Sequence, residues 1–342
     1  MYRYDCNLDI RELNFESLLL LYNKQFYKKL SRSELEKLIE QHIAQSNADH
    51  CIPICSYKHN QLTAFCIIHI YEEERIKDVG NLTFSLLISD LKENTLKILF
   101  NMIFKEIKLR EYDFKFIVGP IHNSILIPRG YRFSDDNIYT YGMPDNYAKI
   151  ATELENSGAI KKKDIIEIVY KYKEDDVILT SLDKRILNRL SNIQFHIVNK
   201  KEISKINQEI SEAYNNIWNN NWGFSKITPE LISIAAENIP NVMGLIAKKN
   251  NNIIGFTMMQ HSENIGRAFM AGVLDSYKNS GLSIALISSL SKIAIEKGIY
   301  TYSIGWMLEN NISIINTMKK FTKYGNSKIR KYRIYEINLN NN

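Results

Sequence analysis

The sequence predicts an α/β fold with mixed, α+β-type sheets, built twice along one chain. Three observations carry this. A chain of 342 residues exceeds one typical core and suits two domains. One order of elements (helices, hairpin, strand, helix, strand, helix, strand) can be read in each half. A charged stretch, Lys171–Asp176, lies between the two readings, so the expected domains are 1–175 and 176–342.

The first fifty residues read as two helices. LNFESLLLLYNKQFYKKL has apolar residues at helical spacing, and Ser31 with Glu34 forms a capping box ahead of LEKLIEQHIAQ. Residues 52–71 read as two strands around His59-Asn60-Gln61, LTFSLLIS as a strand, 92–110 as a helix and FKFIVGP as a buried strand. Pro144–Gly158 reads as a short helix ended by glycine, and DIIEIVYKY as a strand. The second half opens with the strand IQFHIV and the helix ISKINQEISEAYNNIWNN, and Thr228-Pro229-Glu230 starts a further helix. MGLIAKKNNNIIGFTMM is a hairpin, AFMAGVL a strand, Gly281–Lys297 a helix, YTYSIGWM a strand, Asn311–Phe321 a helix and KYRIYEINL a terminal strand.

Composition narrows the function. Hydrophobic residues at 45% and charged residues at 24% describe a folded, water-facing protein. The net charge of +6 favours anionic ligands but is too small for a nucleic-acid binder, and KIRKYRIYEI reads as a strand with one solvated face. No apolar run approaches the roughly 20 residues of a membrane span. MYRYDCNLDIREL lacks a secretory pattern. Cys6, Cys51, Cys55 and Cys66 are sparse and have no converging histidines, so no metal is expected and the protein is read as reduced and cytoplasmic. Neither membrane nor nucleic acid is expected as a partner.

Residues 272–290, GVLDSYKNSGLSIALISSL, carry the chemistry. A strand runs through a short polar loop into a helix whose first amides are unpaired and suited to phosphate. Gly281 allows close approach, Lys278 adds charge, and Ser280 and Ser283 add hydroxyls. Alone this is a weak motif, because a glycine between strand and helix is commonly a turn device.

The segment resembles the acyl-CoA loop of the GNAT N-acetyltransferase superfamily, Gln/Arg-x-x-Gly-x-Gly/Ala at a helix start, here Lys278-Asn279-Ser280-Gly281-Leu282-Ser283. VLDSYKNSGLSIALI is similar to the family's Val-x-Pro-x-Tyr-Arg-x-x-Gly-Leu-x-x-x-Leu, with Asp275 where proline is common. IGWMLENNISIINTMKKF, SEAYNNIWNNNWGFSKITPEL and RKYRIYEINL extend the likeness over 193–339, and KFIVGPIHNS and MPDNYAKIATELENSGAIKKKD extend it more weakly over about 51–172; a bacterial tandem-domain subgroup is the nearest pattern.

The resemblance implies two acyl-CoA N-acyltransferase folds. Amides of Lys278–Ser283 would hold the CoA pyrophosphate, Gly272, Val273 and Leu274 would pair with the pantetheine arm, and Asn310 or Asn311 would help hold it. Lys278 and Ser283 depart from the usual residues yet leave the loop workable. The matching loop of the first half, ISDLKENTLKIL, has no glycine, so that half is read as degenerate, with an acceptor or structural role.

Acyl transfer to an amine needs a proton acceptor for the amine and a proton for the departing thiolate. Glu309, Asp275 and Glu263 are the candidate acceptors, and each could instead be a solvated loop acid. The tyrosine that many family members place in the last helix is absent around Met318 and Phe321; Tyr324 could replace it. Trp218, Trp222 and Phe224, with Asn215, Asn219 and Asn220, form either core or an acceptor wall; Arg129, His122 and Asn123 occupy the matching edge of the first half. The expected function is transfer of an acetyl or other short acyl group from acyl-CoA to a small or carrier-bound amine. The rivals are an aminoacyl-tRNA-dependent transferase of the peptidoglycan-bridging type and a catalytically inactive binding module.

Overall fold

The computed structural model describes residues 2–6, 12–133, 140–171, 188–262, 264–312, 314–316 and 326–339. They form two compact units: Met1–Ile165 with Lys331–Asn342, and Ile166–Arg330.

The first unit contains β1 (Tyr2–Cys6), α1 (Phe15–Gln25), α2 (Arg32–Ala44), β2 (His50–Lys58), β3 (Gln61–Ile70), β4 (Leu82–Ser89), α3 (Thr95–Leu109), β5 (Phe116–Gly119), β6 (Tyr131–Arg132), α4 (Lys149–Asn156) and the start of β7 (Ile160–Lys171). The Ser31–Glu34 capping box forms as its spacing requires. His59 and Asn60 both take positive φ, so the β2–β3 hairpin closes on a two-residue turn whose twist matches its strands. β3 and β4 are buried along nearly their whole length, as strands covered on both faces must be. Leu18, Leu35, Ile39, Phe65, Phe84, Leu99 and Phe100 centre the core.

The second unit continues from β7 with β8 (Gln194–Asn199), α5 (Lys200–Lys205), α6 (Asn207–Trp218), α7 (Pro229–Asn238), β9 (Met243–Lys249), β10 (Asn252–Ser262), β11 (Ile265–Val273), α8 (Leu282–Glu296), β12 (Thr301–Leu308) and the start of β13 (Asn326–Asn338). Its strands lie in the order β12-β11-β10-β9-β8. Thr228 caps α7 with Pro229 in the first turn, and Asn250 and Asn251 supply the positive φ angles of the β9–β10 hairpin.

The structure differs from the sequence reading in several places. The run read as one helix breaks at Ile206 (φ −114°, ψ 28°), and Asn199 caps the short α5 with its own capping box. α4 is confined to Lys149–Asn156. β1 pairs with β2 where only helices were expected. The chain leaves the first unit inside β7 and re-enters it inside β13, so the compact units do not follow a boundary at 175/176. Residues of β13 from Tyr332 onward pair with β6 and β5. Of the expected helix over 311–321, Asn311 is not helical, Ile312 and residues 314–316 are, and residues 313 and 317–321 lie outside the described residues, as does the linker from 172 to 187.

Candidate functional site

In the second unit, β11 and β12 run parallel and pair from Ile265↔Thr301 to Ala268↔Ile304. Beyond that pair β11 continues to Val273 and β12 to Leu308. Neighbours that stop pairing while both remain extended diverge, and each turns peptide groups toward the gap. β10 stays paired with β11 as far as Val273, so the opening affects only the β12-facing edge. The register jump that pairs Met258 with Met270 and Met259 with Ala268 leaves Phe269 as an extra residue. Such a bulge bends its strand, and this one sits where the parting begins.

The loop below the opening is built to start a helix. Leu274 N donates to Ile254 O (2.9 Å), Asp275–Tyr277 make one 3-10 turn, and Asn279 and Gly281 take φ +64° and +89°. The left-handed conformation at Gly281 is one that side chains resist. Ser280 Oγ donates to Tyr277 O (2.7 Å) and accepts from Leu282 N (3.2 Å). The first helical bond runs from Ala285 N to Gly281 O (3.0 Å), with the amides of Ser283 and Ile284 ahead of it at the positive end of α8. Lys278 Nζ lies 2.7 Å from Asp275 Oδ1, both side chains mostly exposed, a pairing that holds weakly and yields readily to an anion.

An aromatic group lies on the opened strand. Tyr214 packs on Trp218 (centroids 4.8 Å) and Phe224 (5.9 Å), and Trp218 meets Phe256 edge-on (5.6 Å). A β-carbon built on Gly272 would stand 2.6 Å from Trp218 Cζ2 and 2.7 Å from Ile217 Cγ2. Gly272 is therefore glycine because the indole needs its place. Asn215 clasps Ile227 through both its amide atoms (2.9 and 3.0 Å), closing the loop that carries Trp222 and Phe224. Its amide holds structure here rather than facing a ligand.

Beneath β12 lies a buried charged group that the sequence reading missed. Glu167 accepts from Ser303 Oγ and from Arg330 Nη1 (3.1 Å), with the Glu167 and Arg330 side chains 0% and 1% exposed. Arg267, paired with Ser303 in the strand register, reaches Gly305 O (3.4 Å) and lies over the Trp306 ring (5.3 Å). The group ties the root of the opening together. Its available signal was Glu167 set among the apolar residues of DIIEIVYKY.

Glu309 follows the end of β12 and is half-buried. Asn310 is exposed, and Asn311 Oδ1 accepts from Ile314 N (3.4 Å), capping the short helix after β12. Tyr324 and Glu263 lie outside the described residues. Among the described residues no group of three or more His, Cys, Asp or Glu is arranged to hold a metal, and no helix is long and apolar enough to cross a membrane.

Arg129 belongs to the first unit, where its charge acts on His122 and Tyr71. Here three buried histidines converge. The Ser85 hydroxyl sits between His42 Nδ1 (2.7 Å) and His69 Nε2 (2.8 Å), and His122 donates from Nε2 to His42 O (2.9 Å). Burial lowers the basicity of all three, His122 to about 4. Burial also pushes the Cys51 thiol up to about 12, so it is no nucleophile.

No family model matches the chain. Protein YghO of Escherichia coli (strain K12) is 21% identical over 231 residues, 57% of this chain and 58% of that protein, so the match spans little more than half the relative's length. Among solved structures, a tandem GNAT protein from the clavulanic acid biosynthesis pathway aligns over 99% of both chains at 8% identity with a TM-score of 0.59. A probable N-acyltransferase from Enterococcus faecalis V583 aligns over 99% of this chain and 73% of its own at 9% identity (TM-score 0.58). A GCN5-related N-acetyltransferase from Sphaerobacter thermophilus aligns over 99% and 96% at 10% identity (TM-score 0.52). At these identities the likeness concerns architecture, and the chain has the fold of the GNAT N-acetyltransferases.

Proposed function

We propose that the second unit takes an acyl-CoA and transfers its acyl group to an amine. The observation that carries this reading is the parting of β11 from β12 directly above the Gly281 loop. One extended peptide edge and one helix N-terminus are the two features that an amide-bearing arm ending in phosphates requires.

On this reading the edge of Met270–Leu274 holds the arm, and the amides of Ser280–Ser283 with Lys278 Nζ hold the phosphates. The same edge can polarise a thioester carbonyl without a metal. Trp218, Trp222 and Phe224 wall the acceptor, and Glu309 takes the amine proton directly or through water. A thiolate leaves at neutral pH with little help, so catalysis does not depend on Tyr324. The acceptor is a small molecule or an amine on a carrier, and the reaction takes place in the cytoplasm.

The test is release of free thiol from acetyl-CoA and longer acyl-CoAs across a panel of polyamines, amino sugars and amino acids. Amine-dependent release supports the reading. Release from none of the donors with any amine, in protein that melts cooperatively, contradicts it.

A further inference from the structure

The first unit contains a related parallel strand pair in which β4 outruns its neighbour. β4 and β5 are parallel and register at Thr83↔Val118, after which β4 runs on to Ser89. The pairing of β3 with β4 is also irregular at the same place, with Cys66 facing Leu87 and Ile68 facing Phe84. Counting from the irregularity, Leu87 and Ser89 correspond to Met270 and Gly272.

The edge of β4 is already occupied. Gln25, the last residue of α1 and fully buried, donates from Nε2 to Leu87 O (2.9 Å) and accepts at Oε1 from Ser89 N (2.8 Å). Both strand groups point away from β3, and one side-chain amide bonds them as a neighbouring peptide would. Tyr131 OH adds a second donor to Leu87 O (3.0 Å), and Ile121 N bonds Phe84 O (2.8 Å).

The turn before α3 is braced from within the chain. Asn94 takes φ +66° where the second loop has Gly281, and Asp90 Oδ1 accepts from Lys92 N (3.1 Å) and Thr95 Oγ1 (2.8 Å). In the second unit the residue ending the corresponding helix is Trp218. An indole has one donor and no acceptor, so it cannot bridge a carbonyl and an amide, and it packs on Gly272 instead.

We propose that the first unit is a self-liganded copy of the strand-edge part of the site, in which the Gln25 amide takes the ligand's amide position on β4. The correspondence with a ligand rests on the acyl-CoA reading above; the occupancy of the β4 edge by Gln25 does not. The first unit is thus a latent amide-binding edge that its own glutamine keeps closed.

Gln25→Ala removes the equivalent of one acetamide molecule from this edge. In the full chain, the variant is expected to lose protection of the Ser89 amide by about 10-fold or more in hydrogen exchange, because a buried donor loses its acceptor. Acetamide in excess is expected to restore the protection and raise the melting temperature, whereas acetone, which cannot donate to Leu87 O, restores neither. Gln25→Met fills the space without polar atoms and is expected to lose protection with no response to acetamide. If Gln25→Ala is recovered folded only from medium containing acetamide, the proposal is supported in the same sense.

Unchanged Ser89 protection in Gln25→Ala, or equal response to acetone and acetamide, overturns the proposal. So does wild-type protein that binds two molecules of acetyl-CoA. Acetamide rescue in a protein that binds no acyl-CoA would leave the Gln25 closure standing and remove the acyl-CoA reading alone.

Discussion

Gly272 of β11 and the indole of Trp218 are in direct contact, with no room for a β-carbon between them. The contact joins the end of α6 to the face of the strand that borders the opening. Gly272→Ala is expected to push the indole off the strand, costing about 1–3 kcal/mol by overpacking and weakening acyl-CoA binding. Adding Trp218→Phe should recover most of the stability. Calorimetric melting and ligand titration of both variants check this, and a Gly272→Ala protein indistinguishable from wild type would remove the contact from the site.

The Glu167–Arg330 pair is the most buried ion pair of the second unit among the described residues. Breaking such a pair leaves an uncompensated charge, so Glu167→Ala is expected to destabilise by about 3–5 kcal/mol in urea unfolding. Glu167→Ala with Arg330→Met should be less destabilised than the single variant, because no buried charge then remains. A single variant that loses under about 1 kcal/mol would mean that water already reaches the pair.

Glu309 is expected to matter for turnover rather than for binding. Glu309→Gln should lower the rate by about 10²-fold or more while the affinity for acyl-CoA stays the same, as for a general base. An unchanged rate would transfer the role to Asp275 or to water.

The histidines of the first unit make its stability depend on pH. His42, His69 and His122 are neutral when folded because burial disfavours their charged forms, and Arg129 adds to this at His122. The unfolded chain binds these protons near the ordinary histidine value of 6.5, whereas folded His122 binds one only near 4. The stabilisation is therefore complete above about 6.5 and is lost progressively as pH falls from there, for His122 toward 4. His122→Gln can keep both bonds of the ring, from its amide to His42 O and from Ser124 N to its carbonyl. It is expected to flatten the decline; an unaltered slope of unfolding free energy against pH would exclude His122 as a contributor.

How much of this could be read from the sequence follows from the range of each interaction. The caps at Ser31 and Thr228 and the asparagine turns of both hairpins were legible, because their cause lies within a few residues. The Gly281 loop was legible for the same reason. Gln25 was not, since its partners Leu87 and Ser89 lie 62 and 64 residues away and nothing near it marks a buried amide. Nor was Glu167, whose partners lie 136 and 163 residues on. The return of β13 to the first unit is a long-range pairing that leaves no local period. The break at Ile206 was hidden because both halves of the run are helical.

The most direct measurement is a calorimetric titration of the full chain with acetyl-CoA, repeated with Gly281→Glu. One site per chain is expected in the wild type. In the variant, binding should be lost, since bulk and negative charge then stand at a φ of +89° at the start of α8. No binding by the wild type, or undiminished binding by a folded Gly281→Glu protein, would contradict the placement of acyl-CoA in the second unit.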